Sequence, residues 1–246
     1  MPSRSPCRKP ATTASSTASD TAHALDDSNA WRYRVGVADI AQRDAVEALR
    51  RFAYRSAAQF EWNDEATLAW TAADDNGTVL ALWDVHGAML STVRASVFGD
   101  AARAEAFLEY SLDGVDAAAP MLVVSRAATA PAAARGGLFA LLRHVYLSAL
   151  TATPVRSLIA VVYEGAGHSL SMRESGYQFF EPRAAWDTEA RALTRPLLAV
   201  LRQQNFAHAQ QTRAAALAGK TADVRIDMAA ITASFDAQCR RAATHR

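Results

Sequence analysis

The stretch Met121–Leu142, MLVVSRAATAPAAARGGLFALL, carries the most information about the fold. It begins with an apolar run long enough for a central strand, passes through a turn that contains Arg135, Gly136 and Gly137, and continues into a strongly apolar helix. Free backbone N–H groups at a helix N-terminus form an anion site, and glycine lets a phosphate approach closely. The turn therefore predicts either a phosphate site or a tight strand-to-helix turn without a ligand.

Strand and helix patterns alternate after this stretch. The apolar run SLIAVVY (157–163) predicts another strand, and HSLSMRES (168–175) predicts a short helix. Gly176 and a strand YQFFEP (177–182) follow. The second half of the chain therefore indicates the order strand, turn, helix, strand, helix, strand.

The first half predicts a strand, a helix and then an antiparallel meander. WRYRVGV (31–37) is typical of a short strand, and residues 41–60 have apolar residues at helical spacing, namely Val46, Leu49, Phe52, Ala53 and Phe60. The three strands of the meander begin at Thr67, Val79 and Ala88, and a helix begins at Ala101. That helix would end at Leu112 and bury Ala106, Phe107 and Tyr110. This mixture predicts an α/β (α+β) protein whose mostly antiparallel sheet is flanked by helices.

Composition divides the chain into three segments. Residues 1–29 are rich in Ser, Thr, Ala and Pro with almost no bulky apolar residues, so they predict disorder. Residues 30–188 form the predicted α/β domain. Residues 189–246 are rich in Ala, Arg and Gln and predict a helical extension, with helices at about 189–217 and 223–241.

Charge and cysteine content exclude several classes of function. The formal net charge of +1 gives no overall field for nucleic acid, and no apolar run is long enough to span a bilayer. Cys7 and Cys239, one near each terminus in segments that look peripheral, indicate neither a disulfide framework nor a metal site. The N-terminus lacks the apolar region of a signal peptide, which favours a cytoplasmic protein.

The order of elements resembles the GNAT superfamily. In that family the turn after the central strand grips the pyrophosphate of a pantetheine cofactor, and Ala134, Arg135, Gly136 and Gly137 are a degenerate version of its motif. The resemblance implies a GNAT-type fold and a site for a thioester. Met172 stands where many acetyltransferases place the tyrosine that protonates the leaving thiolate.

A closer resemblance is to the autoinducer synthases and the FeeM-type N-acyl amino acid synthases. It covers about residues 31–182 and rests on Arg50, Tyr54, Trp62, Arg94, Ser125 and Arg126. Tyr54 replaces the phenylalanine of the motif, and Trp62 follows after a slightly longer gap. The resemblance implies that Arg50, Tyr54, Trp62, Arg94 and Ser125 bind substrate. The acidic residue of the family's Glu-x-Ser-Arg strand falls at Val123, and a valine cannot accept a proton.

Glu164 and His168 are the nearest candidates for the missing base. Both follow the strand SLIAVVY at its C-terminal end, where open α/β sheets place ligands, and the alternative for each is an ordinary surface residue. Arg126 is the third candidate catalytic residue. It either binds a carboxylate or phosphate of the substrates, or forms an internal salt bridge with Asp84, Glu109 or Glu61. Arg94, which looks like a strand-end residue, has a surface alternative, as does Arg50.

These residues predict an N-acyltransferase that uses direct transfer. An acyl chain would pass from an acyl carrier protein (acyl-ACP) or acyl-CoA thioester to the amine of an amino acid or a similar acceptor, with no permanently bound cofactor. An acidic carrier protein would dock on exposed arginines, namely Arg135, Arg143, Arg202 or Arg213. The C-terminal helices would cover the acyl chain, form a homodimer or be a solvated appendage. The alternatives are an acetyl-CoA-dependent N-acetyltransferase and a non-catalytic domain that senses acyl-CoA or binds a partner.

Overall fold

One sheet organises the residues described by the computed structural model, which are 32–55, 68–131, 137–163, 169–181, 196–218 and 223–244. Its strands are β1 Tyr33–Ala38, β2 Thr78–Asp84, β3 Met89–Phe98, β4 Met121–Thr129, β5 Ser157–Tyr163, β6 Gln178–Phe180, β7 Pro196–Arg202 and β8 Val224–Ile226. Their order is β6-β7-β5-β4-β3-β2-β1-β8. Neighbours are antiparallel except the parallel pairs β4–β5 and β1–β8. The strand that opens the stretch Met121–Leu142 is therefore central, as predicted.

Helices cover both faces of the sheet. Their bounds are α1 Arg43–Arg55, α2 Ala72–Asn76, α3 Ala101–Leu108, α4 Leu138–Leu150, α5 Ser169–Glu174, α6 Phe206–Ala216 and α7 Met228–Thr244. Side chains alternate along β4, so Leu122 and Val124 pack in a core with α4, α6 and α7, whereas Val123 packs in a second core with α3. Helix α1 packs on the same side of the sheet as α3. No helix in the described part of the chain is long and apolar enough to cross a membrane.

The strand predicted from Thr67 is wrong where the structure describes it, because the chain forms α2 there. The carboxylate of Asp74 accepts hydrogen bonds from the backbone N–H of Thr71 at 2.9 Å and from the Thr71 hydroxyl at 3.1 Å. The N–H of Gly77 then closes the last turn on the carbonyl of Ala73. Such local bonds at both ends stabilise a short helix against the extended conformation that the apolar pattern predicted.

Two predicted core positions on helices are also wrong. Phe52 on α1 is 57 % exposed and Ala106 on α3 is exposed, although Val46 and Leu49 on α1 are buried as predicted. The buried side of α1 instead includes the polar residues Glu47 and Arg50, because hydrogen-bonding partners from residues 69–74 meet them there. The predicted end of α1 at residue 60 lies outside the described residues.

The helix predicted across Pro196 is wrong, because Pro196–Arg202 is the strand β7 between β5 and β6. Its apolar residues are buried on both faces: Leu198 and Val200 join the core beneath α3, and Ala199 and Leu201 join the core beneath α4. A short apolar run buried on both sides gives no periodicity that distinguishes a strand from a helix. Pro196 is tolerated because it is the first residue of the strand.

The C-terminal segment also belongs to this fold. Strand β8 pairs with β1, and α7 packs on the sheet, with Cys239 buried in the core rather than peripheral. The side-chain amide of Gln238 accepts from the N–H of Val97 at 2.9 Å and donates to the Thr78 hydroxyl at 2.6 Å and to the carbonyl of Ala95 at 3.3 Å. Because β2 begins opposite Ala95, Gln238 takes the place of a further β2 residue at this edge of β3.

Replacing Gln238 by leucine is expected to lower the free energy of unfolding by about 1–3 kcal/mol, because the N–H of Val97 loses its acceptor. The Thr78 hydroxyl keeps the hydroxyl of Ser234 as a partner. Urea unfolding followed by circular dichroism measures the change. The control is Gln211→Leu, at an exposed position on α6, which should shift stability by less than about 0.5 kcal/mol. Equal effects of the two substitutions would contradict the role given to Gln238.

Candidate functional site

The pairing between the two central parallel strands ends before the strands themselves do, and we call the unpaired facing edges beyond that point the opening. Among the described residues, β4 and β5 pair only from Met121–Ser157 to Val124–Ala160, although β4 continues to Thr129 and β5 to Tyr163. In the described part of the chain no strand pairs with the facing edges of β4 and β5 beyond that point, and backbone N–H and C=O groups require hydrogen-bond partners. An extended ligand that carries amide groups can therefore bind here as an added strand would.

A β-bulge in β4 lies beside this opening. The β3–β4 register passes from Arg94–Ser125 to Thr92–Ala128, so Arg126 and Ala127 together oppose Val93. Arg126 has a φ of 52°, in the left-handed region that is costly for a residue other than glycine. Bulges re-aim side chains and are frequent next to active sites. The bulge places Arg126 on the face of the sheet that carries α1, where it donates to the carbonyl of Ala69 at 2.6 Å.

A group of arginines surrounds one buried carboxylate on that face. The distance from a carboxylate oxygen of Asp74 to a guanidinium nitrogen is 2.5 Å for Arg50, 3.7 Å for Arg94 and 3.9 Å for Arg126. The Nε of Arg94 also donates to the hydroxyl of Ser125 at 3.0 Å. We call Arg50, Asp74, Arg94, Ser125 and Arg126 the Asp74 cluster. It joins α1, α2, β3 and β4 immediately beside the point at which β4 leaves β5.

Burial and like charge shape the electrostatics of this cluster. Burial, followed by the nearby charge of Arg126, lowers the pKa of Arg94 to about 10, so that guanidinium stays protonated at neutral pH. Burial opposes ionisation of Asp74, but hydrogen bonds and charge from Arg50, with further help from Arg94, hold its pKa below the ordinary value. Burial also raises the pKa of Tyr54 to about 12. Crowded guanidinium groups beside a protonated tyrosine favour an anionic ligand such as a carboxylate.

The structure brings Arg50, Arg94, Ser125 and Arg126 together. It corrects the predicted position of Arg94 and the predicted ion-pair partner of Arg126. Arg94 was expected near the surface at a strand end; it lies within β3 and is buried. Arg126 has an internal partner, Asp74, which is not one of the predicted acids. Of those, Asp84 accepts from the N–H groups of His86 and Ala88, Glu109 is exposed, and Glu61 lies outside the described residues.

Asp74 is the residue of the cluster that the sequence did not indicate. It stands in the run Asp74-Asp75-Asn76-Gly77, which is typical of a turn, and nothing local distinguishes it from Asp75. A signal was nevertheless available: arginines within apolar segments need a buried acid, and the chain between them offers few.

Several predicted site residues lie outside the described residues, namely Trp62, Ala134, Arg135, Gly136, Glu164 and His168. Their roles stay predictions. Gly137 is described: it has a φ of +75° and directly precedes α4, so a residue with a side chain would be strained there. A cofactor role for this turn also stays a prediction.

The two positions at which the resemblance predicted an acid and a tyrosine, Val123 and Met172, both lie in the core. Val123 is fully buried in the core beneath α3, and Met172 on α5 is buried in the core beneath α4. Neither site therefore holds a group that can take up or release a proton. Within the described part of the chain, no group of three or more His, Cys, Asp or Glu residues could hold a metal ion.

The expected carrier-docking surface is corrected at two of its arginines. Arg143 and Arg213 are buried rather than exposed. Arg143 donates to the hydroxyl of Ser171 at 3.1 Å and Arg213 to the carbonyl of Ser171 at 2.9 Å. Through these bonds Arg143 on α4 and Arg213 on α6 both contact α5 instead of facing solvent. Arg202 is partly exposed and pairs with Asp116, and Arg135 lies outside the described residues.

Comparison with known proteins identifies the fold. No protein-family model and no curated protein sequence matches the chain. The structure of FeeM, an N-acyl amino acid synthase from uncultured soil microbes, aligns with a TM-score of 0.51 and 14% identity over 71% of this chain and 94% of that chain. BjaI, a CoA-dependent acyl-homoserine lactone synthase solved with SAM and isopentyl-CoA, aligns with a TM-score of 0.53 and 12% identity over 80% of this chain and 93% of that chain. The separating parallel strands, the eight-stranded sheet and these likenesses agree, and the chain has the GNAT fold.

Proposed function

We propose that this chain is an N-acyltransferase that moves an acyl chain from an acyl carrier protein or acyl-CoA thioester to the amine of an amino acid or a similar small acceptor. The observation that carries the proposal is the position of the Asp74 cluster, which lies directly beside the opening between β4 and β5. A thioester donor and an anionic acceptor would thus meet at one place.

The donor half of the proposal rests on the opening. The pantetheine arm shared by CoA and carrier proteins contains amide groups, which match the backbone groups on the facing edges of β4 and β5. The turn before α4 would hold the phosphates through free N–H groups at the start of the helix. The two structural neighbours, an N-acyl amino acid synthase and a CoA-dependent acyl-homoserine lactone synthase by name, support the same class of donor.

The acceptor half rests on the arginines. A carboxylate can accept two parallel hydrogen bonds from a guanidinium group, and such pairs strengthen when they are removed from water. Arg94 is buried and Arg126 is mostly buried, so both would hold the carboxylate of an amino acid firmly. The hydroxyl of Ser125 accepts from Arg94 and keeps its own proton available for a ligand.

The reaction would be direct transfer without a covalent enzyme intermediate. The neutral amine attacks the thioester carbonyl carbon, backbone N–H groups of β4 beyond Val124 stabilise the oxyanion, and the C–S bond breaks to release thiolate. The nitrogen loses its proton in the process. Val123 cannot take that proton, so Glu164 or His168, which follow β5 in the sequence, would act as the base.

A turnover assay tests this function. The purified full-length chain is incubated with acetyl-, octanoyl- and palmitoyl-CoA, and with the same chains on acyl carrier protein, in a mixture of amino acids. We expect release of free thiol that depends on the amino acids, and mass spectrometry should detect an N-acyl amino acid. Turnover of acetyl-CoA alone would instead indicate an N-acetyltransferase. Absence of both binding and turnover with every donor would contradict the proposal.

A non-catalytic domain is the second candidate, and one observation favours it. Val123 and Met172 are buried apolar residues at the two positions where related enzymes carry ionisable or hydroxyl groups. Such a domain would bind acyl-CoA without releasing thiol. Isothermal titration with octanoyl-CoA, beside the turnover assay, separates the two functions, because binding without thiol release supports sensing only.

A further inference from the structure

The edge of β5 that faces the opening carries one hydroxyl group among its described residues. Beyond the last β4–β5 pair, β5 continues through Val161, Val162 and Tyr163. Side chains alternate, so Tyr163 lies on the same face as Ile159 and Val161, which belong to the core beneath α3. Arg94 and Ser125 point to this same face from β3 and β4, because their neighbours Val93 and Val124 lie in the other core.

Tyr163 therefore stands across the opening from the Asp74 cluster. Tyr54 connects the two, because it is an electrostatic neighbour of Tyr163 and also of Arg50, Arg94 and Arg126. Burial raises the pKa of Tyr163, so its hydroxyl stays protonated at neutral pH and remains a hydrogen-bond donor. A thioester held between β4 and β5 would have oxyanion donors on its β4 side and this hydroxyl on its β5 side.

We propose that the Tyr163 hydroxyl is a catalytic hydrogen-bond donor to the sulfur of the thioester as the C–S bond breaks. This inference rests on the proposed acyl transfer. The bond from the amine nitrogen to the carbonyl carbon forms, the C–S electron pair passes to sulfur, and thiolate leaves while Tyr163 keeps its proton. The proton from nitrogen passes to the base and then to solvent. Tyr163 would thus serve a leaving group that Met172 cannot.

The test compares two donors that differ in their leaving group. Wild type and Tyr163→Phe are assayed with octanoyl-CoA and with octanoyl-seleno-CoA, which keeps the pantetheine arm and whose more acidic selenolate needs less stabilisation. We expect a 10- to 100-fold fall in kcat with octanoyl-CoA, little change with the selenoester, and an unchanged KM for the acceptor. The matched control is Tyr110→Phe, a buried tyrosine that neighbours Tyr163 on this face, which should retain wild-type kcat with both donors.

Each outcome decides between the two proposals. An equal loss with both donors, or no loss with either, would overturn the role of Tyr163 while leaving acyl transfer intact. A wild type that turns over neither donor would overturn acyl transfer of this chain length and this inference with it. Thermal unfolding of both variants identifies a loss caused by misfolding, and in that case the ratio of the two donors, which folding does not alter, remains the deciding measurement.

Discussion

Replacing Asp74 by asparagine is expected to lower the free energy of unfolding by about 3–5 kcal/mol, as removal of one partner from a buried ion pair does. Asparagine keeps the shape of the side chain and removes its charge. The fully buried Arg50, 2.5 Å from this carboxylate, would then lose its charged partner. Arg94 and Arg126, whose guanidinium nitrogens lie within 4 Å of the same carboxylate, would lose it too. Urea unfolding followed by circular dichroism measures the effect.

The neighbouring aspartate provides the control. Asp75 is exposed on the same short helix α2 and accepts from the indole N–H of Trp70. Asp75→Asn should lower stability by less than about 1 kcal/mol. If both substitutions had the same effect, the Asp74 cluster would not be the electrostatic centre of this face.

The same variant changes how stability depends on pH. The pKa of folded Asp74 is lower than its ordinary value of 3.8, so ionisation stabilises the folded state. This contribution is fully present above the unfolded pKa and is lost as the pH falls through the folded pKa. Below pH 4, wild-type stability should fall more steeply than that of Asp74→Asn. Parallel acid curves for the two proteins would contradict the depressed pKa.

Replacing Arg94 by glutamine is expected to raise the KM for the amino-acid acceptor by about 10- to 100-fold. Hydrogen bonds to a charged partner contribute about 1.5–3 kcal/mol, and every 1.4 kcal/mol is about tenfold. Asp74 would still have Arg50 and Arg126 as partners, so the fold should survive. Steady-state kinetics with the acceptor varied and the donor saturating measures the change.

Comparing the amino acid with the amine that lacks its carboxylate makes this test specific for carboxylate binding. The corresponding amine without its carboxylate should already be a poor acceptor for the wild type, and Arg94→Gln should not make it worse. Arg103→Gln, at a mostly exposed arginine on α3 that pairs with Asp100, is the control and should leave both acceptors unchanged. An equal loss on both acceptors would show that Arg94 does not bind the carboxylate.

Elements with strong local signals were predicted well. Strands β4 and β5 and helix α4 lie where the apolar runs predicted them. The strands are buried on both faces and the helix along one broad face, so each has a long apolar run in its own sequence. Elements that depend on partners far away in sequence were not. Pro196–Arg202 becomes a strand because β5 and β6 flank it on either side, and that information is not contained in the run itself.

The candidate site shows the same division. Arg50, Arg94, Ser125 and Arg126 were selected by their resemblance to family motifs, and the structure brings them to one place. Their common carboxylate, Asp74, comes from an unremarkable acidic run 24 residues after Arg50. Charge balance among buried groups is a property of the folded interior, so it cannot be assigned to one residue before the chain is folded.

The sequence by itself therefore determined the strand–turn–helix order around Met121–Leu142 and the arginines available for a site, because hydrophobic periodicity and residue type are local. Only the tertiary structure decided that β4 and β5 separate after Val124 and Ala160, that the bulge turns Arg126 toward Asp74, and that Tyr163 lies on the same face of the sheet as Arg94 and Ser125. Each of these depends on register between strands. Register is set by the packing of both sheet faces together rather than by any single segment.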